Sequence, residues 1–219
     1  MSGAVAKARP RRTEPREKRR AQLIQATIRS IAGQGLSDTT IATVAAEAGL
    51  SQGIINLHFN SKERLLLETL AYVVDEYKSR WERALDRAGP SSAERLAALV
   101  EVDFHPSVCD RNKLAVWFAF WGESKSRPTY RRLCADRDRG YDRQLRQLCG
   151  DLIAEGDYPG IKPESVARGM AAMSEGLWLD MLVSPRHMTR RQALGIAMDH
   201  LAHTFPDHFG DPAQERART

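Results

Sequence analysis

The chain has 219 residues, 42% of them hydrophobic, and its 33 Lys and Arg against 28 Asp and Glu give a formal net charge of +5. That is enough apolar material for a core, but no stretch approaches the roughly 20 apolar residues that cross a membrane, and the N-terminus lacks the apolar run of a secretory signal. We therefore expect a cytoplasmic protein with no membrane association, whose three cysteines are reduced because they form no closely spaced framework.

The positive charge lies at the N-terminal end. Residues 1–60 contain nine Lys or Arg and four acidic residues, a net charge of +5, whereas the rest of the chain holds 24 of each sign. This asymmetry favours binding of a polyanion by the N-terminal part, with a merely solvated basic tail as the alternative.

The chain begins with a segment that is predicted to be a basic, disordered arm over residues 1–16, since it has two prolines and few apolar side chains. A first helix follows, because apolar residues recur at three- and four-residue steps from Leu23 to Ile31, and it should stop at Gly33-Gln34-Gly35. Residues that can cap helices then delimit three more. With Thr40, Ser51 and Ser61 as the caps, the predicted ranges are 41–48, 52–58 and 62–88.

The remainder also has helical periodicity, interrupted by Pro and Gly. Five further helices are predicted, over 92–103, 111–125, 128–155, 163–183 and 189–205. No strand pattern of period two occurs, so the sequence predicts an all-α protein that ends in a flexible tail over residues 206–219.

Two short helices joined by a glycine turn after a longer helix are typical of a helix-turn-helix, whose second helix reads bases in the major groove. Short polar side chains in the second helix can hydrogen-bond to base edges, and Leu57 can contact a thymine methyl group. Hydroxyl groups and the backbone amides at the starts of the two helices can bind phosphates. An unliganded helical hairpin is the alternative. The candidate DNA-contacting residues are Thr39, Thr40, Ser51, Gln52, Gly53, Asn56 and Leu57.

Residues 19–66, RRAQLIQATIRSIAGQGLSDTTIATVAAEAGLSQGIINLHFNSKERLL, resemble the N-terminal domain of TetR-family transcriptional regulators. The shared motifs are Leu-Ile-x-Ala, a Gly before Thr-Thr, Ala-x-x-Ala-Gly, Ser-x-Gly, and His-Phe-x-x-Lys before a long helix. The resemblance implies a DNA-binding domain over 17–77, adds His58 and Lys62 to the candidates, and implies DNA-backbone contacts by Thr40, Asn56 and Lys62. The family often has Tyr in place of Asn56, which leaves open whether Asn56 makes that residue's phosphate contact.

The stretches LAVWFAFWGESKSRPTYRRLC and ARGMAAMSEGLWLDML resemble the C-terminal domain of the choline-responsive betaine-synthesis repressors, a subgroup of this family. The resemblance implies a ligand-binding and dimerisation domain over 78–205. Aromatic side chains around a carboxylate suit a quaternary ammonium ligand, while an ordinary aromatic core is the alternative. The candidate ligand residues are Trp117, Phe118, Phe120, Trp121, Glu123 and Trp178, with Asp103 and Glu175 as other possible anionic partners.

The last two predicted helices carry apolar stripes that could pair with a second copy in a four-helix interface. In the family, homodimers form here, and an intramolecular core is the alternative. The candidate interface residues are Val166, Met170, Met173, Leu177, Met181, Leu194, Met198 and Leu201.

No metal-ligand, cofactor-binding or catalytic motif is evident, so neither metal nor cofactor nor enzyme activity is predicted. We expect a repressor that binds a palindromic double-stranded DNA operator as a homodimer and is released by a small effector, choline-like or another organic cation. One alternative is a family member that senses hydrophobic drugs or lipids. The other is a helical ligand-binding protein or enzyme whose basic N-terminus is incidental.

Overall fold

The computed structural model describes residues 15–210, except for the side chains of residues 136–138. The described range consists of helices and their connections without any strand, which confirms the all-α class. The predicted arm lies almost wholly outside it, as do residues 211–219 of the predicted tail. In chain order the helices are α1 (Arg16–Asp38), α2 (Ile41–Ala48), α3 (Gln52–Phe59), α4 (Lys62–Arg87), α5 (Ser92–Asp103), α6 (Arg111–Glu123), α7 (Pro128–Glu155), α8 (Pro163–Val183), α9 (Arg190–Thr204) and α10 (Pro206–Phe209).

Side-chain caps fix where the short N-terminal helices begin. The Thr40 hydroxyl accepts a hydrogen bond from the Thr43 backbone N–H at 3.1 Å, and the Ser61 hydroxyl accepts one from the Arg64 N–H at 3.1 Å. Gly49 ends α2 with a φ of 65°, in the left-handed region that favours glycine. Helices α2 to α9 all begin and end within two residues of their predicted bounds.

Helix α1 contains a kink where the sequence predicts a stop. Gly35 has a φ of 86° and a ψ of 167°, which are not helical, and a short helical segment then continues to Asp38. The Thr39 hydroxyl donates to the Gly35 carbonyl at 2.8 Å, so a side chain satisfies a carbonyl at the kink.

The N-terminal helices enclose an apolar core that sets the orientation of α3. The side chains at its centre are at most 2% exposed and come from all four helices: Leu23, Ile28, Val44, Ile55 and Leu65. Burial of each such side chain stabilises the fold by about 1.5–3 kcal/mol. Because the core holds α3 by one side, the opposite side of α3 is turned to solvent.

Helix α4 belongs to both parts of the molecule. It continues past the predicted domain boundary at residue 77 and packs against α5, α6 and α7. In the C-terminal bundle α7 also packs on α5 and α8, and α9 packs on α8 and α5. Helix α1 packs closely on α6, so this contact and the continuous helix α4 both join the N-terminal helices to the bundle. None of the described helices is both long and apolar enough to cross a membrane.

Residues 206–210 of the predicted tail lie within the described range, where side chains anchor the chain. Phe205 is fully buried and its ring lies 5.3 Å from that of Tyr158, centroid to centroid. The Tyr158 hydroxyl accepts a hydrogen bond from the Asp207 N–H at 3.2 Å and bonds His208 Nδ1 at 2.7 Å. These contacts hold α10 on the bundle.

Candidate nucleic-acid interface and ligand cavity

Helix α3 presents an exposed face beside its buried one. Ile55 and Phe59 are 0% and 1% exposed and point into the core, whereas the side chain of Leu57 is 72% exposed. A Cβ added at Gly53 would meet only Ser51 Oγ, at 3.9 Å, so the backbone there is open to close approach. Five predicted contact residues are exposed on or next to α3: Ser51, Gln52, Gly53, Asn56 and Leu57.

The two predicted threonines differ. Thr40 is exposed at the start of α2, where its hydroxyl caps the helix. Thr39 is only 1% exposed, and its hydroxyl is occupied by the Gly35 carbonyl. The prediction that Thr39 contacts DNA is therefore corrected, because the kink in α1 turns this side chain inward.

Lys62 and His58 are both half-buried. The Lys62 ammonium donates to the Ser37 carbonyl at 3.2 Å, which holds it toward the end of α1. Burial lowers the pKa of His58, and the positive charges of Arg16, Arg20 and Arg19 lower it further. This histidine is thus mainly neutral at pH 7 and supplies no cation for a phosphate.

Arg20 of α1 contacts α3 and helps to hold it in position. It pairs with Glu68 of α4, donates to the His58 carbonyl at 2.9 Å, and lies 4.7 Å from the centroid of the Phe59 ring. This side chain fixes the C-terminal end of α3. Arg16 and Lys18 precede it on the exposed start of α1, where they add positive charge beside the α3 face.

A cavity of about 400 Å³ lies among α4, α5, α6, α7 and α8 in the C-terminal bundle. Of the six predicted ligand residues, Trp121 and Trp178 line it. Its described lining also includes Tyr77, Asp103, Ser124, Arg131, Cys134, Tyr141, Asp142, Arg168 and Glu175.

The Asp103 carboxylate lies at the buried end of this cavity and is 2% exposed. It accepts hydrogen bonds from the Tyr77 hydroxyl at 2.6 Å and from the Tyr141 hydroxyl at 2.7 Å. Its backbone carbonyl accepts one from Trp178 Nε1 at 2.8 Å. Because a buried charge is stable only with such partners, the three rings and the carboxylate form one unit.

We define this unit as the aromatic carboxylate site, made of Tyr77, Asp103, Tyr141 and Trp178. The Tyr77 ring lies 5.9 Å from the Trp178 ring at 90°, and 5.6 Å from the Tyr141 ring. A carboxylate beside several ring faces suits an organic cation. The two tyrosines are not among the predicted ligand residues, since nothing in their spacing links residues from α4 and α7 to Asp103.

The other predicted ligand residues lie outside the described lining of the cavity. Trp117 and Phe118 pack against Trp121, with ring centroids 5.9 Å and 5.1 Å away, so they support a lining residue. Phe120 is fully buried against Tyr130. Glu123 lines a separate cavity of about 550 Å³ between α1, α4 and the α6–α7 corner. The side chains of Phe120 and Glu123 are thus directed elsewhere by the turn of α6.

At that second cavity Arg127 joins three helices. Its guanidinium lies 3.2 Å from the carboxylate of Glu63 at the start of α4 and 3.7 Å from that of Glu123 in α6. It also lies 5.4 Å from the centroid of the Tyr130 ring in α7. The α6–α7 corner is therefore tied to the helix that follows α3.

The candidate interface residues of α8 and α9 divide into two groups. Met170, Met181 and Leu201 are 2%, 8% and 0% exposed, so these three belong to the core of the chain itself. The other five are half-buried: Val166, Met173, Leu177, Leu194 and Met198. Large apolar side chains that the sequence analysis did not select are exposed beside them, namely Leu179 (44%), Val183 (66%) and Ile196 (42%).

Comparisons with known proteins agree with this arrangement. Residues 23–69 match the family described as bacterial regulatory proteins, tetR family, and residues 92–206 match the BetI-type transcriptional repressor C-terminal family. The HTH-type transcriptional regulator BetI of Burkholderia thailandensis is 35% identical over 186 residues, which cover 85% of this chain and 93% of that protein.

Two solved structures are similar over most of their length. A transcriptional regulator from Pseudomonas aeruginosa is 30% identical with a TM-score of 0.74, covering 94% of this chain and 96% of that one. A transcriptional regulator from Saccharomonospora viridis in complex with choline is 25% identical with a TM-score of 0.76, covering 85% and 97% respectively.

Proposed function

The chain belongs to the TetR family of bacterial transcriptional regulators, with a BetI-type C-terminal domain, and on that premise we propose that it represses transcription from a palindromic operator until an organic cation releases it. The aromatic carboxylate site carries this proposal. A quaternary ammonium group cannot donate hydrogen bonds, so it is best recognised by ring faces and an anionic charge. Asp103, Tyr77 and Trp178 offer both in a largely buried place. The choline complex of the Saccharomonospora viridis relative supports the same ligand class.

For the operator, the exposed face of α3 is the proposed reading surface. Gln52 and Asn56 can each pair bidentately with adenine, and Leu57 can touch a thymine methyl. The backbone amides at the start of α2 and the hydroxyl of Thr40 are placed for phosphate contacts. The positive charge of the N-terminal segment adds attraction that weakens as the salt concentration rises.

The second copy is proposed to pack on the exposed apolar face of α8 and α9. Regulators of this family bind DNA and dimerise, and a palindromic operator requires two recognition helices related by a two-fold axis. Leu179, Val183 and Ile196 form the apolar part of this face. No side chain comes within 4 Å of a Cβ added at Gly176, so a partner helix could approach closely there.

Coupling between ligand and operator is proposed to pass along α4. This helix starts three residues after α3 ends, and it carries Tyr77 of the aromatic carboxylate site about 22 Å further along. A cation that competes for Asp103 changes the Tyr77 hydrogen bond and so favours a different position of α4. The two recognition helices would then no longer match successive major grooves, and DNA affinity falls by linkage.

Fluorescence anisotropy of the purified protein on duplex DNA from upstream of its own gene tests this proposal, at two salt concentrations, with and without choline. We expect tight, salt-sensitive binding that choline weakens by about 5-fold or more, the lower end of usual coupling free energies. A change of less than about 2-fold with choline, while DNA binding stays tight, would discard choline as the effector. The search would then turn to other effectors, hydrophobic drugs and lipids included.

A further inference from the structure

The cavity lining is charged at more than one place. Besides buried Asp103, it includes Arg131 from α7 and Arg168 from α8, both exposed at its rim. Each arginine precedes, by ten residues on its own helix, an aromatic residue of the aromatic carboxylate site: Tyr141 on α7 and Trp178 on α8. Ten helical residues span about 15 Å along the helix axis, so each arginine lies about three turns from that ring on its own helix.

Neither arginine is neutralised by a carboxylate within the described part of the chain. Asp142, which also lines the cavity, pairs instead with Arg146, 2.7 Å away and one turn further along α7. None of the ion pairs formed among described residues includes Arg131 or Arg168. Two guanidinium groups at the rim of a cavity therefore have their forked donors available for an anion.

The size of the cavity also suits a ligand larger than choline. A water molecule occupies about 30 Å³ of liquid, so a volume of about 400 Å³ has room for roughly a dozen non-hydrogen atoms. Choline would fill about half of that space and would leave both arginines without a partner.

We propose that the effector is a zwitterion whose quaternary ammonium group lies against the aromatic carboxylate site and whose carboxylate or phosphate group binds Arg131 or Arg168. This inference rests on the proposed function, since it assumes that the cavity holds the effector. It identifies the anionic group of the ligand, which the aromatic carboxylate site does not determine.

Isothermal titration calorimetry of the full-length protein tests the inference with choline, carnitine and phosphocholine as probes. We expect carnitine or phosphocholine to bind about 10-fold or more tightly than choline, the gain of a charge-assisted contact to arginine. Phosphocholine as the tighter probe assigns a phosphate, and carnitine a carboxylate.

Single variants identify the arginine. Arg131→Gln or Arg168→Gln should remove the advantage of the zwitterion without weakening choline. Arg132→Gln is the matched control, because Arg132 is an exposed neighbour outside the described lining and should leave all three affinities unchanged.

Choline binding as tightly as both zwitterions would overturn the inference, as would equal losses for all three probes in the arginine variants. In those cases the proposed function still stands. Failure of all three probes to bind the wild-type protein would instead reject the cation effector itself. Asp103→Asn, which should weaken every probe, shows whether binding occurs at this site.

Discussion

Asp103 is proposed to join ligand recognition to the fold. Its carboxylate is 2% exposed, and its two tyrosine donors come from different helices, Tyr77 from α4 and Tyr141 from α7. A buried carboxylate without partners would cost several kcal/mol, so these hydroxyls are needed in the free protein. On the proposed function, an arriving cation would take over part of that role, and the two tyrosines would then be less tightly bound.

The two tyrosines allow a matched test of this coupling. Tyr77→Phe and Tyr141→Phe each keep the ring and remove one hydrogen bond to Asp103, so both should lower the free energy of unfolding by about 1–2 kcal/mol. Only Tyr77 lies on the helix that leads to α3. We therefore expect the choline-induced loss of operator affinity to shrink by about 5-fold in Tyr77→Phe and to persist in Tyr141→Phe.

Anisotropy titrations with and without choline measure this effect, and urea denaturation measures the stability of each variant. An equal loss of response in the two variants would show that the Tyr77 bond has no special part in the coupling.

Among the secondary-structure elements, the α6–α7 corner is the one placed to relay a change in the cavity. Trp121 and Ser124 before the corner and Arg131 after it line the ligand cavity, while Arg127 within it contacts Glu63 at the start of α4. Movement of this corner would therefore reach α4 at its first turn, next to the end of α3. The contact is half-exposed, and such ion pairs contribute roughly 0.2–1 kcal/mol.

Removing this contact should weaken the coupling and spare the binding sites. In Arg127→Gln we expect choline to bind with unchanged affinity, while its effect on operator affinity falls by about 2- to 5-fold. Arg132→Gln is the control, because Arg132 is an exposed arginine of α7 outside the described lining of both cavities. Calorimetry of choline binding together with anisotropy on the operator separates the two quantities. A full choline response in Arg127→Gln would exclude this route.

At the scale of the whole molecule, the exposed apolar side chains of α8 and α9 support the proposed position of the second copy. Leu179, Val183 and Ile196 stand beside five half-buried apolar residues of the same two helices. Large apolar side chains that are exposed on two packed helices fit an interaction surface. The opposite end of the molecule exposes Leu57, which the operator is proposed to cover.

One substitution at each of these two exposed apolar sites separates dimer formation from operator binding. Val183→Asp places a charge in the proposed interface, so we expect light scattering to show a monomer. Because a monomer contacts only one half-site of the operator, tight operator binding should also be lost. Leu57→Asp should also abolish tight operator binding, but in a protein that remains a dimer. Both side chains are exposed in the single chain, so neither change should prevent folding. A dimeric Val183→Asp protein would place the interface elsewhere.

The sequence by itself determined the features that depend on neighbouring residues. Helix boundaries follow from caps and breaks such as Thr40, Gly49 and Ser61, and the all-α class and the TetR-family membership inferred from the motifs of residues 19–66 are confirmed. The exposed residues of α3 could be selected in advance because a helix buried on one side has a periodic outer face.

Only the tertiary structure decided which distant side chains meet. Tyr77, Asp103 and Tyr141 come from three helices, and no local pattern marks them as partners. The aromatic run of α6 contributes Trp121 to the cavity but turns Phe120 into the core, because a helix distributes consecutive residues around its axis. Thr39 faces inward for a similar reason, since the kink at Gly35 creates a carbonyl that its hydroxyl binds. Periodicity predicts faces of single helices, whereas a binding site depends on how several faces pack together.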